Sequence, residues 1–265
     1  MNRISKTIIE LKKRKEKAFI PFLTAGHPSM EMTVKLVKAL EEAGSDIIEL
    51  GIPFSDPLAD GPTIQASSHY ALQTGVTTDS VFKCIENIRE ISSVPILVFA
   101  YTNLIMSYGI ERFFKKLKMC GGDGLLIPDM PIEEAGQYRK IAKEQQISLI
   151  FLITPTTPVD RMILIEKFAG DFIYCVSITG VTGARKDIFK EISSYLKKVR
   201  KTLNKPYVVG FGVGNKNDAA KIAEYSDGVV VGSAIIRLIS ENIDNPDLVN
   251  RVFNFAREIS RGVKA

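Results

Sequence analysis

Short apolar runs alternate along the chain with longer segments in which apolar residues recur at helical spacing. The short runs are rich in β-branched and aromatic residues and have the length of buried strands. Because most of their positions are apolar, they match strands that are covered on both faces, as in a parallel sheet. Eight such runs are present, at 18–23 (AFIPFL), 46–51 (DIIELG), 95–100 (PILVFA), 124–127 (GLLI), 148–153 (SLIFLI), 171–176 (DFIYCV), 207–211 (YVVGF) and 228–232 (GVVVG).

The segments between these runs predict amphipathic helices. Apolar residues stand three or four positions apart, as in Ile192, Leu196 and Val199, and this is the spacing of one helix face. Helix starts are also marked in places. Thr157 before Pro158 resembles an N-cap followed by proline at the first helical position.

Repeated strand and helix units predict an α/β protein with a parallel sheet. Eight units in 265 residues fit a closed (β/α)8 TIM barrel, with an extra N-terminal helix and short helices in the loops after strands 2 and 8. An open doubly wound sheet is the alternative, although the dinucleotide fingerprint GxGxxG does not follow the first strand. No linker-like stretch divides the chain, so we expect a single barrel domain over residues 1–265.

A short repeat supports this count of units. A helical segment ends, an aspartate follows near a small residue, and an apolar run begins. The four copies are GSDIIEL, GGDGLLI, AGDFIYCV and YSDGVVV.

Composition narrows the class of protein. With 45% hydrophobic and 25% charged residues, the chain has the composition of a soluble globular protein. The first 18 residues lack the apolar core of a signal peptide, and no apolar run is long enough to span a bilayer, so we expect a cytoplasmic location. The net charge of +5 is scattered along the chain, which argues against a nucleic-acid partner.

Cysteine and histidine do not suggest a metal site. The three cysteines, Cys84, Cys120 and Cys175, are an odd number without CxxC spacing, which predicts buried thiols rather than disulfides or a zinc site. A metal site of the usual two-histidine kind would need both His27 and His69. Because His69 lies well inside a predicted helix, we predict no metal.

The stretch ELGIPFSDPLADGPTIQ (49–65) carries three acids: Glu49 in the last part of a predicted strand, and Asp56 and Asp60 in the loop that follows it. Side chains alternate along a strand, so if Ile48 and Leu50 face the covering helices, Glu49 points into the barrel near its carboxyl end. Active sites of such barrels lie at that end, and burial there should raise the pKa of Glu49 toward general acid–base range. The structural alternative is a buried carboxyl bonded to backbone or to an internal water.

The other two acids of this stretch are less determined by the sequence. Asp60 could cap the helix that begins at Pro62, but with proline at the first helical position the cap falls on Gly61. Spacing alone leaves capping and function open for Asp60. Asp56, before Pro57, is predicted to organise a turn through its side chain.

Glycine-rich turns follow three of the predicted strands, at 177–185 (SITGVTGAR), 210–215 (GFGVGN) and 231–235 (VGSAI). Glycines let backbone amides approach an anion closely, and a short helix starting at Ser233 would point its dipole there. The loops after strands seven and eight of such barrels frequently bind phosphate. We therefore predict a phosphorylated substrate, the alternative being that the turns themselves need the glycines.

These motifs resemble the tryptophan synthase α chain family over essentially the whole length. The resemblance is carried by FLTAGHP (22–28), ELGIPFSDPLADGPTIQ (49–65), GGDGLLIPDMPIEE (121–134), PTTP (155–158), GVTGAR (180–185) and GFGV (210–213). It implies a (β/α)8 lyase that cleaves indole-3-glycerol phosphate to indole and glyceraldehyde 3-phosphate, with no cofactor in this chain. It further implies an α2β2 complex with a β chain that carries pyridoxal phosphate and receives the indole.

The resemblance also implies roles for individual residues. Glu49 would be the general acid that protonates the indole ring, and Asp60 the carboxylate that stabilises positive charge on the ring N–H. Departures from the family pattern are His27, where an Asp is common, and Ile178-Thr179 in a variable loop. The implied substrate-binding residues are Tyr174, Thr182, Gly183, Phe211, Gly212, Gly232 and Ser233.

Two other functions remain as alternatives. The barrel could dock on a β chain and activate it without catalysing a reaction, although such a scaffold has no use for a buried Glu49. It could also be a metal-dependent sugar-phosphate epimerase, which the histidine count disfavours. The loop 178–187, with its two glycines ahead of a predicted helix at 187–203, is a candidate lid over the substrate.

Overall fold

The computed structural model describes residues 1–176, 185–210 and 212–265, with backbone only for 185–191. In this part of the chain eight parallel strands close into a barrel in sequence order. All eight lie where the apolar runs predicted them, and the closed barrel confirms the fold class over the open sheet. The strands are β1 Ala18–Thr24, β2 Ile48–Gly51, β3 Ile96–Phe99, β4 Gly124–Leu126, β5 Ser148–Ile153, β6 Ile173–Val176, β7 Tyr207–Gly210 and β8 Gly228–Val231.

The described residues also form twelve α-helices and one 3-10 turn at Ile132–Glu134. Helix α1 (Arg3–Arg14) precedes the barrel, and extra helices follow β2 and β8 as predicted, although α3 (Pro62–Gln73) after β2 is 12 residues long rather than short. The extra helix α5 (Thr102–Tyr108) after β3 was not indicated by the sequence pattern. The helices are α1 Arg3–Arg14, α2 Met30–Glu42, α3 Pro62–Gln73, α4 Thr78–Ile91, α5 Thr102–Tyr108, α6 Ile110–Met119, α7 Ala135–Glu144, α8 Val159–Phe168, α9 Arg185–Thr202, α10 Lys216–Ala223, α11 Ser233–Ser240 and α12 Leu248–Val263.

The start of α8 differs from its prediction by one residue. The backbone of Pro158 is extended, so Pro158 is itself the N-cap and Val159 is the first helical residue. The hydroxyl of Thr157 accepts the backbone N–H of Thr154 at 2.9 Å and therefore shapes the preceding turn. The predicted N-cap at Thr157 is wrong for this reason.

Two separate apolar clusters build the core, one inside the barrel and one beneath the helices. Ile47 belongs to the interior cluster, whereas Ile48 and Leu50 belong to the outer one, which confirms the predicted alternation in β2. Ile4 and Leu11 of α1 pack into the interior cluster. Helix α1 thus covers the amino end of the barrel.

The repeated aspartates have a common position at the amino ends of strands. Three of them accept a hydrogen bond from a backbone N–H at the start of a neighbouring strand. They therefore satisfy N–H groups that the hydrogen bonds between strands leave without a partner. These pairs are Asp46 with Phe19 (2.8 Å), Asp123 with Ile96 (3.0 Å) and Asp227 with Tyr207 (3.1 Å). The fourth, Asp171, accepts the hydroxyl of Ser5 in α1 at 2.7 Å. The repeat is therefore a structural one.

The cysteines are buried, unpaired thiols, as predicted. Burial raises the pKa of both the Cys84 and Cys175 thiols to about 12, so both are inert at neutral pH. Of the helices in the described part of the chain, none combines the length and the apolar character needed to cross a membrane.

Candidate active site

A cavity of about 400 Å³ opens at the carboxyl ends of the strands. Inward side chains of several strands form its floor, among them Phe22, Phe99, Leu152 and Tyr174, and Glu49 projects into it from β2. The loops after β2, β7 and β8 supply the rim. The cavity thus lies at the end of the barrel where TIM-barrel active sites are built.

Glu49 is only 1% exposed, and its predicted inward orientation is confirmed. The hydroxyl of Tyr174 donates to its carboxyl oxygen at 3.4 Å, a long bond that adds little. Burial raises the pKa of Glu49 to about 8, the nearby negative charge of Asp60 raises it further in the same direction, and the Tyr174 bond opposes both. The carboxyl is therefore mostly protonated at neutral pH and can donate a proton.

Asp60 lies at the rim of the same cavity and has a different environment. The hydroxyl of Tyr101 donates to its carboxylate at 3.0 Å. Burial raises the pKa of Asp60 to about 6, and the bond from Tyr101 opposes the shift, so this group is mostly ionised at neutral pH. Gly61 is the N-cap of α3, with Pro62 as the first helical residue and no side chain capping the helix. Capping by Asp60, which the sequence left open, is wrong.

Tyr101 is a site residue that the sequence analysis missed. It is 3% exposed, its ring stacks on Phe54 with centroids 5.0 Å apart, and its hydroxyl also accepts the backbone N–H of Ala59 at 3.1 Å. It therefore holds both the loop and the carboxylate of Asp60. Its position two residues after β3 is the signal that could have found it, because the carboxyl ends of all strands meet at the site.

The predicted phosphate residues Gly212, Gly232 and Ser233 line the wall of the cavity formed by the loops after β7 and β8. Helix α11 begins at Ser233 as predicted, Gly232 is its N-cap, and no side chain caps it. Backbone N–H groups of the first turn are therefore left to bind a ligand.

The folded backbone does not itself require glycine at two of these positions. A Cβ atom at Gly212 would meet no atom within 4 Å, and at Gly232 it would make only ordinary contacts from 3.5 Å outward. Neither residue has a φ in the left-handed region. The alternative that the turns need these glycines thus finds no support, and the open backbone leaves room for a ligand.

Several predicted residues lie outside the described part of the chain. Thr182, Gly183 and Phe211 are among them. The same holds for most of the candidate lid 178–187, of which only the residues from Arg185 onward are described, as the beginning of α9.

Asp56 does form part of a turn, but not through its side chain. The backbone N–H of Leu58 donates to the carbonyl of Asp56 at 2.9 Å, and the carboxylate accepts the hydroxyl of Ser55. The predicted side-chain role is wrong, because the neighbouring hydroxyl occupies the carboxylate.

The two histidines have different surroundings. His27 is buried, with Nε2 2.9 Å from the Ser240 hydroxyl, and burial lowers its pKa to about 4. His69 is exposed on α3 and bonds Gln73. Among the described side chains, no group of three His, Cys, Asp or Glu residues is arranged to hold a metal ion.

The fold and the site together define a (β/α)8-barrel protein with two carboxyl groups of unlike pKa in the cavity at the carboxyl ends of its strands. The family model described as tryptophan synthase alpha chain matches residues 8–264. A tryptophan synthase alpha chain from Thermoanaerobacter sp. (strain X514) is 48% identical over 259 residues, which are 98% of either chain, and one from Geotalea daltonii is 42% identical over all 265 residues.

Solved structures of tryptophan synthase also match this chain. Tryptophan synthase subunit alpha from Legionella pneumophila str. Paris matches with a TM-score of 0.93 at 33% identity, covering 99% of this chain and 98% of that one. Ligand-free tryptophan synthase from M. tuberculosis matches with a TM-score of 0.89 at 30% identity over 100% of either chain. The chain belongs to the tryptophan synthase alpha chain family. The alpha subunit cleaves indole-3-glycerol phosphate in tryptophan biosynthesis, and the chain is accordingly a lyase.

Proposed function

We propose that the chain cleaves indole-3-glycerol phosphate by a retro-aldol reaction in which Glu49 is the general acid and Asp60 stabilises positive charge. The observation that carries this proposal is a pair of unlike carboxyl groups in one cavity. The pKa of Glu49 is about 8 and that of Asp60 about 6, so near neutral pH the first is mostly neutral and the second mostly ionised. Such a separation supports Glu49 as the acid and Asp60 as the charge-stabilising group.

The reaction needs both groups. Glu49 delivers its proton to C3 of the indole ring, which becomes an indolenine with positive charge on the ring nitrogen. Asp60 accepts a hydrogen bond from the ring N–H and stabilises this charge. The bond between C3 and the glycerol carbon then breaks, its electron pair returns to the ring, and the carbinol hydroxyl gives its proton to the Glu49 carboxylate. Indole and an aldehyde leave, and Glu49 is protonated again.

The remaining site residues bind and orient the substrate in this proposal. Gly212, Gly232 and Ser233 bind the phosphate through backbone amides, supported by the uncapped start of α11. Tyr174 orients the carboxyl of Glu49 through its hydroxyl. The family resemblance adds Thr182, Gly183 and Phe211 to the binding set and a lid at 178–187.

The proposal extends to partner and location. Family membership supports an α2β2 complex in the cytoplasm, with a β chain that carries pyridoxal phosphate and takes up the indole. Leu58, in the loop between β2 and α3, is 91% exposed, and such an exposed apolar side chain beside the active site suits a partner surface. We further propose that residues 1–265 fold as a single domain.

The decisive experiment incubates purified chain with indole-3-glycerol phosphate, with and without a β chain, and assays indole. Wild type should release indole, and Glu49→Gln should lose on the order of 10²- to 10⁴-fold in rate. The matched control is Glu144→Gln on the exposed face of α7, which should keep full activity. Near-full cleavage by Glu49→Gln would contradict the acid assignment. No indole from wild type, together with stimulation of the β chain, would favour the non-catalytic activator.

A further inference from the structure

Arg237 lines the same cavity as Glu49 and Asp60, and the functional assignments above leave it without a role. It is the one cationic side chain among the described residues of the lining, which otherwise carry two acids and many apolar groups. Arg237 lies on α11, one helical turn after Ser233. Helical side chains lean toward the N-terminus of their helix, so the guanidinium is directed back toward the start of α11.

No described carboxylate forms an ion pair with Arg237, and within the described part of the chain its side chain makes no hydrogen bond. Some other surface cations of the protein do have such partners, for example Arg161, whose guanidinium binds Glu133 through two oxygens. The positive charge of Arg237 is therefore free to interact with an anion in the cavity.

A cationic side chain in the cavity can compensate the negative charge of a bound phosphate. A phosphate monoester carries between about −1.5 and −2 charges at pH 7. The start of a helix such as α11 offers the equivalent of about +0.5 charge, and the backbone amides of Gly212 and Gly232 add neutral donors only. Between about 1 and 1.5 negative charges therefore stay uncompensated, and the ionised Asp60 lines the same cavity.

We propose that Arg237 is the specificity-determining residue that makes the site select a doubly charged phosphate group on its substrate. The inference rests on the proposed function and deepens it. The guanidinium attracts the phosphate without contacting the bonds that change, so it acts on binding of substrate and phosphorylated product. It leaves protonation of C3 by Glu49 unaffected.

The test pairs two variants of the protein with two matched ligands. The charged probe is 3-indolepropanol phosphate, which keeps the indole and the phosphate but lacks the glycerol hydroxyls and cannot be cleaved. The neutral probe is 3-indolepropanol. Binding of each is measured by calorimetry to wild type, Arg237→Gln and Arg237→Lys. The control Arg251→Gln removes the same charge from an exposed position of α12 outside the cavity.

Arg237→Gln should bind the phosphate probe about 5- to 30-fold more weakly. This range corresponds to the loss of one charge-assisted hydrogen bond that is weakened by solvent exposure. The neutral probe should bind all variants equally, Arg237→Lys should recover most of the loss, and Arg251→Gln should resemble wild type. In the cleavage assay KM should rise by a similar factor while kcat stays within about twofold.

The pH dependence supplies a second readout. Affinity of wild type for the phosphate probe should rise as pH increases through the second phosphate pKa near 6, and this rise should flatten in Arg237→Gln. An unchanged affinity in Arg237→Gln, or an equal loss in Arg251→Gln, would overturn the proposal while leaving the lyase reaction in place. If instead the phosphate probe binds in an Arg237-dependent way but no indole is ever released, the proposed function fails and this inference stands.

Discussion

Buried acids at the two ends of the barrel have opposite surroundings. At the amino end Asp123 is 3% exposed and is bound by Arg3 at 3.0 Å and by Arg89 at 2.9 Å. At the carboxyl end Glu49 is 1% exposed and has only the long bond from Tyr174. The structural acid is compensated by cations. The acid proposed to react is not, and burial therefore keeps its proton in place.

The carboxyl of Asp46, also at the amino end, is subject to opposing effects on its pKa. Burial raises its pKa, whereas the amide of Phe19 and the ammonium of Lys264 act in the opposite direction. At the amino end each burial penalty is thus opposed by donors or cations. At the carboxyl end the penalty on Glu49 is reinforced by a second acid, Asp60.

Breaking the compensation at the amino end should have the largest effect. Asp123→Asn leaves the largely buried Arg89 beside a neutral amide and should lower the free energy of unfolding by about 3–5 kcal/mol, measured by urea denaturation. The rate of indole formation per folded molecule should not change, because the site lies at the other end of the barrel. Asp244→Asn, at an exposed position, is the control, and equal stability of the two variants would remove the structural role of Asp123.

Glu49→Gln, the matching change at the carboxyl end, should raise the free energy of unfolding rather than lower it. The pKa of Glu49 is about 8 in the folded chain against an ordinary value of 4.5, so between these pH values the folded state holds the extra proton and stability falls as pH rises. The loss begins above about pH 4.5 and is complete above about pH 8.

Glu49→Gln removes this loss. Its advantage in unfolding free energy over wild type should therefore grow by on the order of 3–5 kcal/mol between pH 5 and pH 8.5, as measured by urea denaturation at each pH. A difference that is constant with pH would show that Glu49 is ionised when folded.

Replacing Asp60, the second acid of the pair, should lower the rate of cleavage less than replacing Glu49 does. Asp60→Asn should lower kcat about 10- to 1,000-fold, because the positive ring loses its counter-charge. It should also move the alkaline limb of the rate profile to lower pH, since Asp60 raises the pKa of Glu49. Asp56→Asn in the same loop is the control and should resemble wild type. An undiminished rate in Asp60→Asn would limit Asp60 to a structural role.

Removing the hydroxyl that holds Asp60 should have the smallest effect. Tyr101→Phe keeps the stacking on Phe54 but removes a bond that lowers the pKa of Asp60, so the acid limb of the rate profile should move to higher pH. The rate at neutral pH should fall by about 3- to 10-fold. Tyr70→Phe, whose ring packs on His27 instead, is the control, and an unmoved acid limb would show that Tyr101 does not position Asp60.

Much of the fold could be predicted because it depends on local periodicity. The apolar runs placed every strand, the alternation around Glu49 gave the correct inward face, and Pro62 correctly moved the helix cap to Gly61. The one-residue error at Thr157 and the wrong side-chain role of Asp56 both concern single hydrogen bonds. Such bonds depend on which of several nearby donors wins, and neighbouring hydroxyls decided both cases.

The sequence by itself determined the order of elements, the inward direction of Glu49 and the position of the glycine turns, because each follows from residues next to one another in the chain. Only the tertiary structure brought Tyr101 to Asp60, 41 residues apart, and Tyr174 to Glu49, 125 residues apart. It also placed Arg237 in the same cavity. Closure of the barrel sets these distances, and burial and neighbouring charge, which follow from closure, set the protonation states that divide the two acids.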